Sequence, residues 1–405
     1  MLLEFFEGEQ TIYIFSVYKD RLAVTSFERT ADYDRLFKRF SNSLIDIESF
    51  IETPVRVYND FVKRSHQLYQ ALIAPVDLKG IQRIIIIPDG KLSYLPFEVL
   101  LTKPVAPIEE EQETMQANFK VLPYLLCSFS TNYNYSGRLW LERNLLSKQA
   151  VNNRILALAP KYSGMPMPTW RGKREVSLRK RLTDLPGAFD EVTHLKENYA
   201  GAFYSNYDAN EAILKKEAAN YGILHLAMHG LVNTKKPEFS GLALAEDQNQ
   251  NEDNFLYAYE IEQLPIQTSL IVLSACETGI GQYQKGEGVV SIGRSFVYAG
   301  APSLLMTLWN LNDQSGAFII EKFYKNLNNG LEKDEAIRQA KLEYLKTYRQ
   351  EFAHPFLWAP FIQVGSYESI SIASKYAYWW LYLLGGGIGI FLMVLFLYKK
   401  NRKAV

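Results

Sequence analysis

The sequence predicts an α/β protein with a mostly parallel central sheet flanked by helices. Three observations carry this reading. Short, largely apolar runs, Ile81 to Pro88, Ile155 to Pro160, Ile223 to Leu226, Leu270 to Leu273 and Ser303 to Leu308, have the composition of strands buried on both faces. Helical spacing separates them, over Leu185 to Tyr199, Ala209 to Asn220, Val289 to Ala299, Gln314 to Asn326 and Leu331 to Tyr348. Small or turn-forming residues close the runs, as in Asp89-Gly90 and Ser274-Ala275. At 405 residues the chain exceeds the usual size of one domain, so one large or two smaller domains are expected.

Taken in order, Met1 to Gln10 has no basic start and no apolar core long enough for a signal peptide. Thr11 to Val17 and Leu22 to Phe27 flank a Lys19-Asp20 turn and read as a hairpin. Asp32 to Phe50 and Val55 to Leu72 are helical, with Phe37, Phe40, Leu44 and Ile47 on one face. Residues 1–58 therefore form a small N-terminal α+β accessory element, and 59–367 the main domain. Lys103 to Lys120 is a polar, acidic loop, and Arg171, Lys173, Arg174, Arg179, Lys180 and Arg181 gather in a Gly- and Pro-rich loop. Short elements complete the domain: a strand from Gly241 to Ala245, a helical turn from Tyr257 to Gln263, and a last strand from Phe361 to Gly365.

Composition excludes several classes. Lys and Arg total 44 and Asp and Glu total 44, so zero net charge makes no electrostatic case for a nucleic-acid partner. Two cysteines, Cys127 and Cys276, make no disulfide framework. His225 and His229 have the interval of two metal ligands on a helix, but Ile-Leu-His-Leu-Ala reads as strand. Four strand residues span roughly 13 Å, too far for one shared ion. No metal and no cofactor are expected, and His225 reads as a buried, hydrogen-bonded core histidine.

The chemistry concentrates at two strand ends. Leu270 to Leu273 runs into Ser274, Ala275 and Cys276, with Gly279 and Gly281 turning the chain away. Ile223 to Leu226 runs into Ala227, Met228, His229 and Gly230. Carboxyl ends of parallel strands are where open α/β sheets bind ligands. If the two strands are neighbours, the imidazole faces the thiol and can take its proton during attack. The backbone N–H groups of Gly230 and Cys276 are then the candidate oxyanion donors. Residues for a substrate pocket are Asp89, Glu277, Glu287, Trp309 and Asp313. Asp89 also suits the turn before Gly90, Asp313 also suits a helix N-cap, and Glu277 also suits the bend after the nucleophile.

Ala-Met-His-Gly around 229 and Leu-Ser-Ala-Cys-Glu-Thr-Gly around 276 together resemble the CHAT domain, a bacterial branch of the caspase, gingipain and separase peptidases. Further segments are similar to that family's landmarks: residues 86–98, Leu-Pro-Gly-Ala at 185–188, Gly-Glu-Gly at 286–288, Leu-Trp-Asn-Leu-Asn-Asp at 308–313, and His-Pro-Phe-Leu-Trp-Ala-Pro-Phe at 354–361. The resemblance covers most of residues 60–366. It implies a caspase-like fold and a cysteine peptidase with a His229 and Cys276 dyad. It also implies a protein or peptide substrate, and it makes the stretch from Tyr162 to Arg181 either a solvated loop or one that is cut on activation. Family members commonly carry tetratricopeptide repeats ahead of this domain and this chain has none, so a separate repeat protein or activator is a candidate partner. In some basic-specific relatives an acidic residue stands two positions before the cysteine; here it is Ser274, and the P1 preference stays open.

Beyond the domain, Tyr376 to Tyr398 contains no charged residue. As a helix of 1.5 Å rise it reaches roughly 35 Å, enough to cross a bilayer. Trp379 and Trp380 suit one interface and the basic tail, 399–405, the other, and Gly385 with Gly389 has the spacing of a helix-pairing face for a dimer. The expectation is a single-pass protein of a bacterial inner membrane with its basic tail in the cytoplasm. The tail then places the peptidase outside, whereas the absent leader keeps it inside. Three functions of different class follow: a membrane-anchored cysteine peptidase in proteolytic signalling, a catalytically silent scaffold of the same fold, and a Cys-His hydrolase or acyltransferase acting on non-peptide acyl groups.

Overall fold

The computed structural model of the chain describes residues 1–109, 117–145, 150–162, 182–233, 235–246, 252–274, 281–284, 288–310 and 313–375. The chain opens with β1 (Leu2–Glu7), β2 (Thr11–Val17) and β3 (Leu22–Glu28), followed by α1 (Ala31–Ile45), α2 (Ile47–Glu52) and α3 (Pro54–Leu72). Then come β4 (Arg83–Ile87), β5 (Ser130–Tyr133), α4 (Gly137–Leu145), β6 (Ile155–Pro160), α5 (Pro186–Asn198), β7 (Gly201–Asn206), α6 (Glu211–Glu217) and β8 (Ile223–Leu226). A small sheet is built from β9 (Gly230–Leu231), β10 (Gly241–Ala243) and β11 (Phe255–Tyr257). The rest is α7 (Ala258–Ile261), β12 (Leu270–Leu273), the hairpin β13 (Gly281–Gln284) and β14 (Gly288–Ser291), α8 (Ile292–Tyr298), β15 (Ser303–Thr307), α9 (Asp313–Asn328), α10 (Lys333–Thr347) and β16 (Phe361–Gly365).

Among the described residues eleven strands join one sheet in the order β3-β2-β1-β4-β5-β16-β15-β12-β8-β6-β7. The runs that read as doubly buried are so: every residue of β6, β8, β12 and β15 is buried. Such strands need cover on both faces. Helices α5 and α10 both pack on α9, α7 packs on α8, and right-handed crossovers are the rule for such parallel connections.

The structure adds β5, α4, β7, β11 and β13 to the expected elements and differs from the expectation at the N-terminus and before α8. Residues 2–7 form a strand, because Leu2, Leu3 and Phe5 are buried, and β1 lies parallel to β4 with Leu2 opposite Ile85. The N-terminal strands thus continue the main sheet, and the expected boundary at 58/59 falls inside α3. Rings join the two sides of that boundary, Phe40 to Phe61 at 5.5 Å and Phe50 to Phe119 at 5.5 Å. Val289 and Val290 lie in β14 rather than in a helix; α8 starts only after Ser291, whose hydroxyl caps it by accepting the Arg294 N–H at 3.3 Å.

The half of the sheet that matters for chemistry is β15-β12-β8-β6-β7, parallel throughout. The chain goes from β6 outward to β7, then returns to the other side of β6 for β8, β12 and β15. The strand order thus reverses direction at β6, a topological switch point, and the carboxyl ends of strands at such a point are where open α/β sheets bind ligands. Among the described residues no helix is long and apolar enough to cross a membrane. The apolar stretch 376–398 lies outside them.

Candidate active site

β8 and β12 are direct neighbours, with Ile223 opposite Leu270 and Leu226 opposite Leu273. His229 and Cys276 each follow three residues after those last paired positions. Cys276, Glu277 and Glu287 lie outside the described residues, and His229 lies within them.

His229 is held at its backbone and its ring. Its N–H donates to the Tyr162 hydroxyl at 3.0 Å, and its carbonyl accepts the Ala243 N–H at 2.9 Å. The Tyr162 hydroxyl in turn donates to the Ala243 carbonyl at 3.0 Å, closing a small cycle between the end of β6, the end of β8 and β10. The Tyr162 ring lies 4.8 Å from the imidazole, tilted by 52°. Tyr162 is itself fixed, since its N–H donates to Asp184 Oδ1 at 2.8 Å.

The ring contact that sets the chemistry is 2.8 Å between His229 Nε2 and the Thr183 carbonyl oxygen. A carbonyl can only accept, so Nε2 carries the proton and Nδ1 keeps the lone pair. Burial holds the imidazole below its ordinary pKa of 6.5, against the opposing pull of the Thr183 carbonyl and the Asp313 and Asp184 carboxylates. The ring is therefore neutral at neutral pH and able to accept a proton. Gly230 opens β9 beside it, paired with Leu242 of β10.

The other expected site residues have structural partners. Asp89 accepts the N–H groups of Glu7, at 2.9 Å, and Gly90, at 2.8 Å, as turn chemistry requires. Gly90 has φ +56°, and a β-carbon there would meet the Glu7 carboxylate, so the turn needs glycine. Trp309 is buried and its indole N–H donates to the Phe356 carbonyl at 3.0 Å, tying the end of β15 to the His354 to Phe361 segment. Asp313 is the first residue of α9, and its Oδ2 accepts the N–H of Gly187 at 3.2 Å. It thus caps the neighbouring helix α5, whose own N-cap, Leu185, has no side chain to do so. Contact is close: a β-carbon on Gly187 would lie 2.7 Å from that of Asp313.

Sequence reasoning missed Tyr162, Thr183 and Asp184, which lie at the edges of the basic loop. The signal for Tyr162 was its place two residues past β6, at the same sheet edge as His229. His225, expected to be a core histidine, is fully buried, with Nδ1 3.2 Å from the Tyr324 hydroxyl. Among the described residues no group of three or more His, Cys, Asp or Glu is placed to hold a metal ion.

A mostly parallel α/β sheet with a positioned histidine at its switch point defines the class. The chain belongs to the CHAT domain family, which it matches over residues 62–366. It is 30% identical over 111 residues to tetratricopeptide repeat protein 28 of Mus musculus and of Homo sapiens. The match covers 27% of this chain and 4% of each of those proteins, so the chain spans a small fraction of the curated relatives' length. Similar solved structures include the Arg-specific cysteine proteinase gingipain R, with TM-score 0.44, 10% identity, and coverage of 78% of this chain and 68% of that one. The pro- and mature domains of RgpB from Porphyromonas gingivalis align with TM-score 0.44, 10% identity and coverage of 84% and 78%. A separase–securin complex of Saccharomyces cerevisiae aligns with TM-score 0.43 and 14% identity, covering 85% of this chain and 20% of that one.

Proposed function

We propose that the protein is a cysteine endopeptidase in which Cys276 is the nucleophile and His229 the base. The observation that carries this reading is the register of β8 on β12, which sets the two residues at the same distance beyond paired strand positions. The imidazole is supported as a base by its ring contact, which leaves Nδ1 unprotonated.

In the reading, Nδ1 of His229 takes the proton of the Cys276 thiol as sulfur attacks the peptide carbonyl. The N–H groups of Gly230 and Cys276 receive the negative charge that develops on the carbonyl oxygen. The imidazolium then donates its proton to the departing amine, leaving an acyl group on sulfur. Water, deprotonated by the same nitrogen, hydrolyses the thioester and returns the thiol. Asp89, Trp309 and Asp313 are already engaged within the fold, so Glu277 and Glu287 are where substrate selection is sought. Protein substrates and a repeat-protein or activating partner belong to the same reading, with proteolytic signalling as the setting.

The stretch 376–398 is read as a single-pass anchor in a bacterial inner membrane, with the tail 399–405 cytoplasmic and Gly385 and Gly389 as a dimer face. Its lack of charge and its interfacial tryptophans support this. Reporter fusions at both chain ends decide the side on which the catalytic domain lies.

The deciding experiment compares wild type with Cys276→Ala and His229→Ala on a peptide library varied at P1. Both substitutions are expected to abolish turnover while changing stability by no more than about 2 kcal/mol. Turnover that survives the histidine change overturns the dyad.

A further inference from the structure

Beneath the candidate site lies a buried polar chain that the dyad chemistry does not use. Glu191, on α5, is 6% exposed. Its Oε1 accepts the hydroxyl of Ser274 at 2.9 Å, and its Oε2 lies 3.1 Å from Nε2 of His225. His225 is wholly buried on β8, opposite Val272 of β12 and four residues before His229. Its Nδ1 lies 3.2 Å from the hydroxyl of Tyr324, fully buried on α9, whose ring stands edge-on to the imidazole at 5.7 Å. Ser274 is the residue that leaves β12, two before Cys276.

The Ser274 hydroxyl donates to the Glu191 carboxylate on one side, and on the other His225 Nε2 faces Oε2 as a close contact without hydrogen-bond alignment. A single buried carboxylate thus touches the strand that leads to the base and the strand that leads to the nucleophile. Burying a carboxylate costs free energy that an apolar side chain of the same size avoids, and it is tolerated where fixed geometry is required. Helix α5 cannot drift away from this point, because the Asp313 carboxylate on α9 holds its N-terminus through Gly187. Ladder hydrogen bonds set the register of β8 and β12, but they end at Leu226 and Leu273. The Ser274 to Glu191 bond fixes the next step toward Cys276.

We propose that Glu191 is a positioning residue, a clamp that holds the cysteine-bearing strand exit, through Ser274, at a fixed place relative to the histidine-bearing strand, through His225. This rests on the Cys276 and His229 reading. It differs from it in assigning the alignment to residues that never touch substrate.

The test uses the full chain with Cys127→Ser, so that Cys276 is the only thiol, and reads its alkylation by iodoacetamide at pH 7. With the clamp intact, His229→Ala slows alkylation about tenfold, because an aligned imidazole no longer accepts the thiol proton. Glu191→Gln and Ser274→Ala each slow it several-fold, and His229→Ala added to either has less than about a twofold further effect. Ser274→Thr, which keeps the hydroxyl, restores the wild-type rate and its dependence on His229. The surface-edge Ser274 pair carries the result even where a Glu191 variant melts early. Alkylation indifferent to His229 in the otherwise native chain overturns the dyad. Dependence on His229 that persists unchanged in Ser274→Ala and Glu191→Gln overturns the clamp alone.

Discussion

Tyr162 and His229 are locked together at the carboxyl edge of β6 and β8: the phenol oxygen accepts the histidine N–H at 3.0 Å while its ring lies 4.8 Å from the imidazole. The relationship makes an unremarked tyrosine the support of His229, the proposed base.

Tyr162→Phe keeps the ring and removes the hydroxyl that both accepts from His229 and donates to Ala243. Two backbone groups lose their partner. Unfolding free energy should fall by about 1 to 3 kcal/mol. The specificity constant kcat/KM should fall about ten- to hundredfold, because the base loses its fixed orientation. Thermal melts and peptide cleavage on the same preparation check both.

The pH profile follows from the depressed pKa of His229. Burial favours the neutral ring, so activity should hold as pH falls to the ordinary histidine value of 6.5 and decline only below it. Asp313 opposes the burial effect by raising that pKa. Asp313→Asn, which keeps an oxygen for the Gly187 N–H, should therefore move the acid limb of kcat/KM to lower pH. A limb that moves upward would contradict the electrostatic account.

His354 should make stability depend on acid. Burial between Phe50 and Phe119, whose rings lie 4.8 and 5.0 Å away, pushes its pKa down to about 3. Below pH 6.5 the unfolded chain binds a proton that the folded chain refuses until about pH 3, so stability is lost progressively over that window as pH falls. At pH 5 the loss relative to pH 7.5 is about 2 kcal/mol. Urea unfolding at the two pH values measures it, and His354→Gln should remove that share of the slope.

Lys341 and Glu98 form a buried ion pair at 2.6 Å, completed by the Phe361 carbonyl at 2.6 Å and the Tyr133 hydroxyl at 2.5 Å. It joins α10, β16, β5 and the segment after β4. Lys341→Met leaves a carboxylate buried without its cation and should cost about 3 to 5 kcal/mol. Lys341→Met with Glu98→Leu should recover most of that loss. A double-mutant cycle in urea supplies the coupling.

Local pattern was enough for the strands and for what stands at their ends. Uninterrupted apolar runs mark β6, β8, β12 and β15, and the residues after two of them name an imidazole and a thiol. The same pattern identified His225 as a core histidine, because a strand period left no shared metal geometry. Periodicity was not enough for β1, whose alternation is weak, or for β14, whose valines suit a helix and a strand alike; sheet pairing decided both.

The sequence by itself determined the buried strands, the α/β class and the two residue types displayed at strand ends, since these depend on neighbours a few positions apart. Only the tertiary structure decided that β8 lies beside β12 in register, that Asp313 caps α5, that Tyr162 bonds to His229, and that Glu191 bonds to Ser274 beside His225. The reason is physical: a strand's pairing partner, and the partner of any buried polar atom, is chosen by packing between segments far apart in the chain, and no local periodicity carries that choice.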